Sequence, residues 1–198
     1  MRIGIAVIAA GAMASSPAHA DGAFFEGDVG LAVPIADDDY EASVDDSLKL
    51  GLRLGTRTGF GGLDLGIDVT PYSDDLDSGF ADIDIERYRF QIGARYEKPV
   101  GAKARLFFRA AGGIDLLHYT AEGSILGVAF ETSETDVGIA LEVAGGVLFD
   151  VGKVQLGVKL GLPFAFHFDD DDPNDPEDAD LEYTGVDLDL AFVVGVSF

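Results

Sequence analysis

The regular alternation of large apolar and small or polar residues is the sequence feature that most constrains the fold of this chain. In "DLDLAFVVGVSF", residues 187–198, every second position is Leu, Phe or Val, from Leu188 to Phe198. Side chains that alternate with a period of two point to opposite faces of a β-strand. The stretch therefore predicts a strand with one apolar face and one mixed face.

Eight segments of this kind follow one another, with limits near 23–35, 47–58, 63–72, 84–97, 103–119, 135–149, 154–168 and 183–198. Three connections have the length and composition of tight hairpin turns, namely "GFGG", "KPVGA" and "DVGK". Four others are longer and mostly acidic: "ADDDYEASVDD", "SDDLDSGFADID", "AEGSILGVAFETSE" and "DDDDPNDPEDADLE". Short turns at one end and long loops at the other predict an all-β, eight-stranded antiparallel up-and-down barrel, whose closure removes both sheet edges.

The first twenty residues, "MRIGIAVIAAGAMASSPAHA", predict export. Arg2 precedes an apolar run, and Ala18, His19 and Ala20 form a small-residue ending of the kind that signal peptidases cut. We therefore expect residues 1–20 to be a signal peptide and residues 21–198 to be the barrel domain. A membrane anchor is the alternative, but the apolar run is shorter than the roughly 20 residues that a spanning helix needs.

Composition excludes several classes of protein. The chain contains no cysteine, which excludes an exported disulfide scaffold. Its 36 acidic and 13 basic residues give a net charge of -23, which argues against a nucleic-acid partner. The hydrophobic content of 47% argues against disorder.

The charges indicate which face of each strand points outward. In segment 47–58, Leu50 and Leu54 share one side, and Lys49, Arg53 and Arg57 share the other side with glycines. The lumen of an eight-stranded barrel is only wide enough for its own side chains, so rows of Leu and Phe on every strand would overfill it. We therefore expect the apolar face to point outward against lipid, in a transmembrane barrel rather than a soluble lipocalin-like one.

The aromatic residues suggest two rings at the membrane interfaces. We expect one ring near the short turns, formed by Phe24, Phe25, Phe60, Tyr96, Phe107, Phe149 and Phe198. We expect the other near the long loops, formed by Tyr72, Tyr119, Phe168 and Tyr183.

A last strand with apolar residues alternating back from Phe198 resembles the assembly signal of Gram-negative outer-membrane barrels. Together with the predicted signal peptide, eight strands, short turns and long loops, it makes the chain similar to the small OmpA/OmpX-like barrels. This resemblance implies an outer-membrane location and contact with outer-membrane lipid. It also implies recognition of the C-terminal strand, with Phe198, by the outer-membrane assembly machinery.

The opposite faces of the strands predict a charged lumen. Neighbouring strands alternate in the sign of their charges, and burial in a narrow lumen favours pairing. The residues expected to form ion pairs are Glu26, Asp28, Lys49, Arg53, Arg57, Asp64, Asp68, Arg87, Arg89, Arg105, Arg109, Glu142, Lys159, Asp187 and Asp189. We expect Arg105 and Arg109 to face Asp136 and Glu142. A wet lumen with mobile charges is the alternative.

The fourth long connection is a weak candidate for binding divalent cations. Its oxygen-rich side chains suit calcium or magnesium, with Asp169, Asp170, Asp171, Asp172, Asp175 and Glu177 as the candidate ligands. The stretch lacks the residue pattern of a built calcium loop, and mutual repulsion favours a solvated loop instead. We expect no cofactor.

Catalysis has little support in the sequence. Lipid-modifying outer-membrane enzymes use His and Ser near the lipid boundary. Here Ser124 or Ser133 could approach His118 in the third long connection. Neither pair, nor His167, forms a defensible triad. We therefore predict a non-enzymatic barrel with acidic surface loops and a role in envelope integrity or surface interaction. The alternatives are a narrow pore or small-molecule conduit and, third, a lipid-modifying enzyme.

Overall fold

A computed structural model describes residues 22–36, 46–58, 61–73, 81–125, 128–168 and 181–198. It contains eight strands: β1 (Gly22–Ala36), β2 (Ser47–Thr58), β3 (Gly61–Ser73), β4 (Ala81–Val100), β5 (Ala104–Ile125), β6 (Val128–Val151), β7 (Val154–Phe168) and β8 (Leu181–Ser197). Each strand pairs antiparallel with the next, and β8 pairs with β1 to close a barrel. This confirms the predicted all-β, eight-stranded antiparallel barrel. Among the described residues, no helix is long and apolar enough to cross a membrane.

The short connections lie where the sequence predicts them. The β6–β7 turn consists of Gly152 and Lys153, and the β4–β5 turn runs from Gly101 to Lys103. The φ angles of Gly101 and Gly152 are 77° and 69°, a region that glycine adopts without steric cost. The third turn joins Thr58 to Gly61, which are partners in the β2–β3 register.

The third long connection is not a loop, and that prediction was wrong. Strand β5 continues to Ile125 and β6 begins at Val128, and these two residues are register partners. The stretch "SILGVAFET" contains isoleucine, valine, phenylalanine and threonine, and these residue types favour strands. The register of β6 with β7 begins only at Gly138, so the β5–β6 hairpin projects beyond the β7 side of the barrel.

The outer surface of the barrel is apolar on every side. Leu63 is 63% exposed on β3, Ile92 is 66% exposed on β4, and Phe192 is 68% exposed on β8. On the opposite faces of the same strands, the buried charged side chains are Asp64, Asp68, Arg87, Arg89, Arg95, Glu97, Asp187 and Asp189. This is the arrangement of a lipid-facing barrel, because closure pairs the backbone groups and leaves only side chains toward the bilayer.

The predicted aromatic rings are only partly correct. Phe24, Phe107 and Tyr72 are buried inside the barrel. Tyr119 is partly buried and packs against the cluster that contains Tyr72. These four residues share the strand face of the lumen charges, so alternation places them inside. The outward aromatic residues of the predicted ring near the short turns are Phe25, Tyr96, Phe149 and Phe198. The side chains of Phe60, Phe168 and Tyr183 lie outside the described residues.

Barrel closure involves the residue that follows β8. The backbone N–H of Phe198 donates to the carbonyl of Ala23 at 2.9 Å. The Phe198 side chain is half exposed on the outer surface. It therefore lies at the seam between the first and last strands, at the short-turn end.

Candidate functional site

The lumen of the barrel is the candidate functional site, because it concentrates the buried charge of the molecule. Among the described residues, nine Lys and Arg side chains and nine Asp and Glu side chains are buried there. Fifteen of these were expected from the sequence, and the structure brings all fifteen inside. The others are Arg95 and Asp115, which alternation also places on the lumen face, and Glu97, which was not among the expected residues.

An inner layer of charges lies nearest the short turns and centres on Glu97. Arg57 donates from Nε to Glu97 at 2.9 Å, and Arg105 donates from Nη1 at 2.9 Å. Arg95 lies 3.2 Å from the same carboxylate and donates to Glu26 at 2.6 Å. One carboxylate from β4 therefore holds three arginines from three strands.

Two buried aromatic rings support the inner layer. The guanidinium carbon of Arg57 lies 4.7 Å from the ring centroid of Phe24. The guanidinium carbon of Arg95 lies 5.2 Å from Phe24 and 4.3 Å from Phe107. These distances are within the range of cation–π attraction, so the rings fill space and also stabilise the cations.

A central layer is built around Arg53. This arginine donates to Asp28 on β1 and, at 2.9 Å, to Asp68 on β3. Lys159 from β7 donates to the same Asp28 at 2.9 Å. Glu142 of β6 lies 3.7 Å from Arg53 and 3.8 Å from Lys159, so the layer crosses the whole lumen.

Arg109 and Lys49 complete the central layer. Arg109 donates to Asp64 at 2.8 Å and also to Glu142. Lys49 donates to Asp189, and this contact links β2 to β8, the two strands that flank β1. Each cation in this layer therefore contacts carboxylates from strands other than its own.

An outer layer lies toward the long connections. Asp187 accepts from Arg87 at 3.1 Å and from Arg89 at 2.7 Å. Asp115 accepts from Arg89 at 2.9 Å and lies 3.2 Å from Nε of Arg87. His167 contacts Asp115 at 2.9 Å through Nε2. Two aspartates from β5 and β8 therefore hold two arginines from β4.

Glycines make room for these contacts. A Cβ atom at Gly93 would lie 2.7 Å from Nε of Arg109 and 2.8 Å from a carboxylate oxygen of Asp64. A Cβ atom at Gly51 would lie 2.5 Å from Asp68 and would also overlap Asp28. The alternation of glycine with long charged residues on the lumen face is therefore a packing requirement of the ion pairs.

The lysine and arginine side chains buried in the lumen equal its buried carboxylates in number, and most of the excess acidic charge of the chain lies elsewhere. Nine buried cations balance nine buried carboxylates, whereas the whole chain has 13 basic and 36 acidic residues. The basic residues outside the lumen are Arg2, in the predicted signal peptide, and Lys98, Lys103 and Lys153 at the short-turn end. The four long connections contain no lysine or arginine. The barrel therefore presents acidic segments at one end and lysines at the other.

Some pairings differ from the expected ones. Arg109 contacts Glu142 as expected, but Arg105 contacts Glu97 and Asp150 rather than Asp136. Asp136 instead lies 2.6 Å from Nδ1 of His167. Glu97 has the same strand parity as Arg95, so alternation alone was a sufficient signal for placing it in the lumen.

His118 lies on the outer face near the long connections, among threonines. Its Nδ1 is 2.8 Å from the hydroxyl of Thr135, and its Nε2 is 3.4 Å from the hydroxyl of Thr120. Ser133 is the register partner of Thr120. The Ser124 side chain lies outside the described residues.

The described residues contain no cluster of three or more potential metal ligands. The six candidate ligands between Asp169 and Glu177 lie outside the described residues. Metal binding by this segment therefore stays a prediction from the sequence.

Comparisons with known proteins agree with the geometry. The sequence matches the family model "Outer membrane protein beta-barrel domain" over residues 6–153, more than half of the chain. A search of curated proteins finds no matching sequence.

Three solved structures are similar in fold. A major outer membrane protein from Thermus thermophilus has a TM-score of 0.58 at 12% identity, covering 89% of this chain and 99% of that chain. Ail, the attachment invasion locus protein of Yersinia pestis, has a TM-score of 0.54 at 12% identity, covering 90% of this chain and 100% of that chain. Neisserial surface protein A has a TM-score of 0.52 at 16% identity, covering 89% of this chain and 97% of that chain. The chain belongs to the outer membrane protein β-barrel family and is a small eight-stranded barrel of the Gram-negative outer membrane, in contact with its lipid.

Proposed function

We propose that this protein is a non-enzymatic, non-conducting barrel that contributes to envelope integrity or surface interaction through its acidic loops. The observation that carries the proposal is the network of buried ion pairs across the lumen, in which cations and carboxylates are matched. All eight strands contribute charged side chains to its three layers of ion pairs. A lumen filled in this way suits a rigid structural element better than a pathway.

The energetics of buried charge support a closed lumen. An ion entering the central layer would compete with Arg53 and Arg109, each of which contacts carboxylates from at least two strands. Removing one partner of a buried pair typically costs about 3 to 5 kcal/mol. Such pairs therefore resist opening, and their charge disfavours passage of small apolar molecules.

The acidic segments support a role at the cell surface. In outer-membrane barrels the long loops are extracellular and the short turns are periplasmic. Here the long connections carry many carboxylates and no basic residue. The protein thus exposes a strongly anionic surface, which favours cationic partners and repels anionic ones.

Planar-bilayer recording tests the closed lumen. We expect the folded wild-type protein to produce no steady ion conductance, because the central layer blocks the lumen. A matched variant in which Arg109→Ser and Glu142→Ser are combined removes two long side chains without changing the net charge. We expect this variant to leak measurably, which would show that the recording detects an opened lumen.

Stable open-channel currents from the wild-type protein would contradict the proposal and favour the narrow pore. Uptake of small molecules by wild-type proteoliposomes, without ion current, would favour the conduit instead.

A further inference from the structure

An open groove of about 790 Å³ lies on the lipid-facing surface near the short-turn end. It crosses β2 to β6, and its outward lining residues include Thr56, Leu63, Ala94, Tyr96, Phe108 and Ala110. Its volume falls within the range of roughly 300–1,000 Å³ that is typical of small-molecule sites. This surface is separate from the charged lumen and has no part in the proposed function.

The register of the strands explains why the surface is concave here. Ala94 and Ala110 are partners in the β4–β5 register and form a floor of two small side chains. One step nearer the short turns, Tyr96 and Phe108 are partners and stand 50% and 60% exposed. A shallow apolar channel therefore ends at two aromatic side chains, at the level where aromatic residues meet the membrane interface.

Cationic groups lie just beyond this aromatic end. Lys98 follows Tyr96 on the same face of β4, about 7 Å further along the strand. Lys103 lies in the adjoining β4–β5 turn, where its carbonyl accepts the N–H of Asp150 at 2.8 Å. Both lysine residues are exposed.

The neighbouring carboxylates are held by a lumen arginine. Arg105 donates to Glu97 at 2.9 Å and to Asp150 at 2.5 Å. These carboxylates are therefore already paired with Arg105, and the two exposed lysines have no carboxylate partner among the described ion pairs.

We propose that this groove binds a phospholipid with a net negative headgroup from the periplasmic leaflet. One acyl chain lies over Ala94 and Ala110, beside Tyr96 and Phe108. The phosphate lies at Lys98 and Lys103. The groove is complementary to this lipid, because its apolar channel ends in positive charge at the interface and the apolar chains of the lipid end in a negative headgroup.

Native mass spectrometry of the folded protein in detergent tests the proposal with phosphatidylglycerol and phosphatidylcholine of identical chains. We expect the wild type to retain one phosphatidylglycerol and to prefer it over phosphatidylcholine. Lys98→Gln should reduce that preference by about fivefold, the factor that corresponds to roughly 1 kcal/mol per lysine at a membrane surface. Lys153→Gln removes the same charge from the β6–β7 turn, which contributes no residue to the groove lining, and should leave the preference unchanged.

Filling the groove provides the second arm. Ala110→Leu adds an outward side chain to its floor and should abolish retention of both lipids, and Ala94→Leu serves if that variant does not fold. Equal lipid retention by all variants would mean ordinary annular lipid and would overturn the proposal. A wild-type dimer that Ala110→Leu converts to a monomer would overturn it too, because a second copy would then occupy the groove.

Discussion

Arg109 illustrates how single side chains hold this barrel together. It donates to Asp64 of β3 and to Glu142 of β6, so it links two strands that are not neighbours in the barrel. Its side chain is 2% exposed, and so solvent cannot replace a lost partner. Each of its contacts therefore depends on the others.

The first residue-scale prediction is a double-mutant cycle on this pair. Arg109→Ala and Glu142→Ala should each lower the melting temperature in detergent, because a buried charge left unpaired costs about 3 to 5 kcal/mol. The double variant should lose less stability than the sum of the two single losses, since removing both partners leaves less buried charge unpaired. Lys153→Ala, in an exposed turn, is the control and should change stability by roughly 0 to 1 kcal/mol. Small additive losses would indicate a wet lumen with mobile charges.

A second residue-scale prediction concerns the lumen glycines. Gly93→Ala should destabilise the barrel, because the new methyl group would overlap Arg109 and Asp64, and such overpacking typically costs about 1–3 kcal/mol. Gly27→Ala is the matched control, since a Cβ atom there would lie 3.6 Å from Leu52 in ordinary contact. Thermal unfolding followed by circular dichroism measures both. Equal stability of the two variants would show that the lumen has spare room.

Alternation along the strands predicts the lumen residues but not their partners. It places Arg105 inside, yet its carboxylate partners depend on the stagger between strands and on the reach of each side chain. Arg105 contacts Asp150, which lies near the end of β6. The sequence predicts that this strand ends at residue 149, one residue before Asp150. Pairing across a barrel is a property of the closed sheet, and a single strand does not encode it.

At the scale of elements, the β5–β6 hairpin shows where loop assignment from composition fails. The connection contains glycine and glutamate, which suggested a loop, but its residues pair in register from Thr120–Ser133 to Ile125–Val128. Strand β4 runs beside this hairpin as far as Ala81–Gly123. Local composition is a weak signal when a neighbouring strand supplies hydrogen-bond partners.

The element-scale prediction concerns β8 and assembly. Phe198→Asp should reduce the amount of barrel inserted in the outer membrane in cells much more than it lowers the melting temperature of barrel already folded. Near the interface a charge on the lipid face costs at most about 1 kcal/mol, so direct destabilisation is small. Membrane fractionation measures the first quantity and detergent melting the second.

Phe149→Asp is the matched control for that experiment. Phe149 is 49% exposed and Phe198 is 50% exposed, both on the outer face near the short turns. Only Phe198 follows the last strand. If both variants assemble equally poorly, Phe198 acts through ordinary packing at the β1–β8 seam rather than as a signal.

At the scale of the whole molecule, the sequence predicts the architecture well because one rule applies to every strand. Period-two alternation, long acidic connections and tight turns each recur, and a closed barrel satisfies all of them together. The match between buried cations and buried carboxylates does not follow from alternation, because the period-two pattern does not fix how many residues of each charge face the lumen. It emerges when eight faces enclose a space too narrow for unpaired charge.

The separation of charge gives the last prediction, at the scale of the whole molecule. Because the buried cations of the lumen are matched by buried carboxylates, the acidic segments should dominate binding of charged ligands from the side of the long connections. Protein reconstituted in zwitterionic vesicles should therefore bind a short oligolysine peptide. Binding should weaken strongly between 0.1 M and 1 M salt, as the Debye length falls from about 10 Å to about 3 Å. Combined replacement of Asp169, Asp170, Asp171 and Asp172 by Asn should weaken binding at low salt, and a neutral peptide of equal length should not bind. Salt-independent binding, or full binding by the fourfold variant, would place the interaction away from this acidic segment.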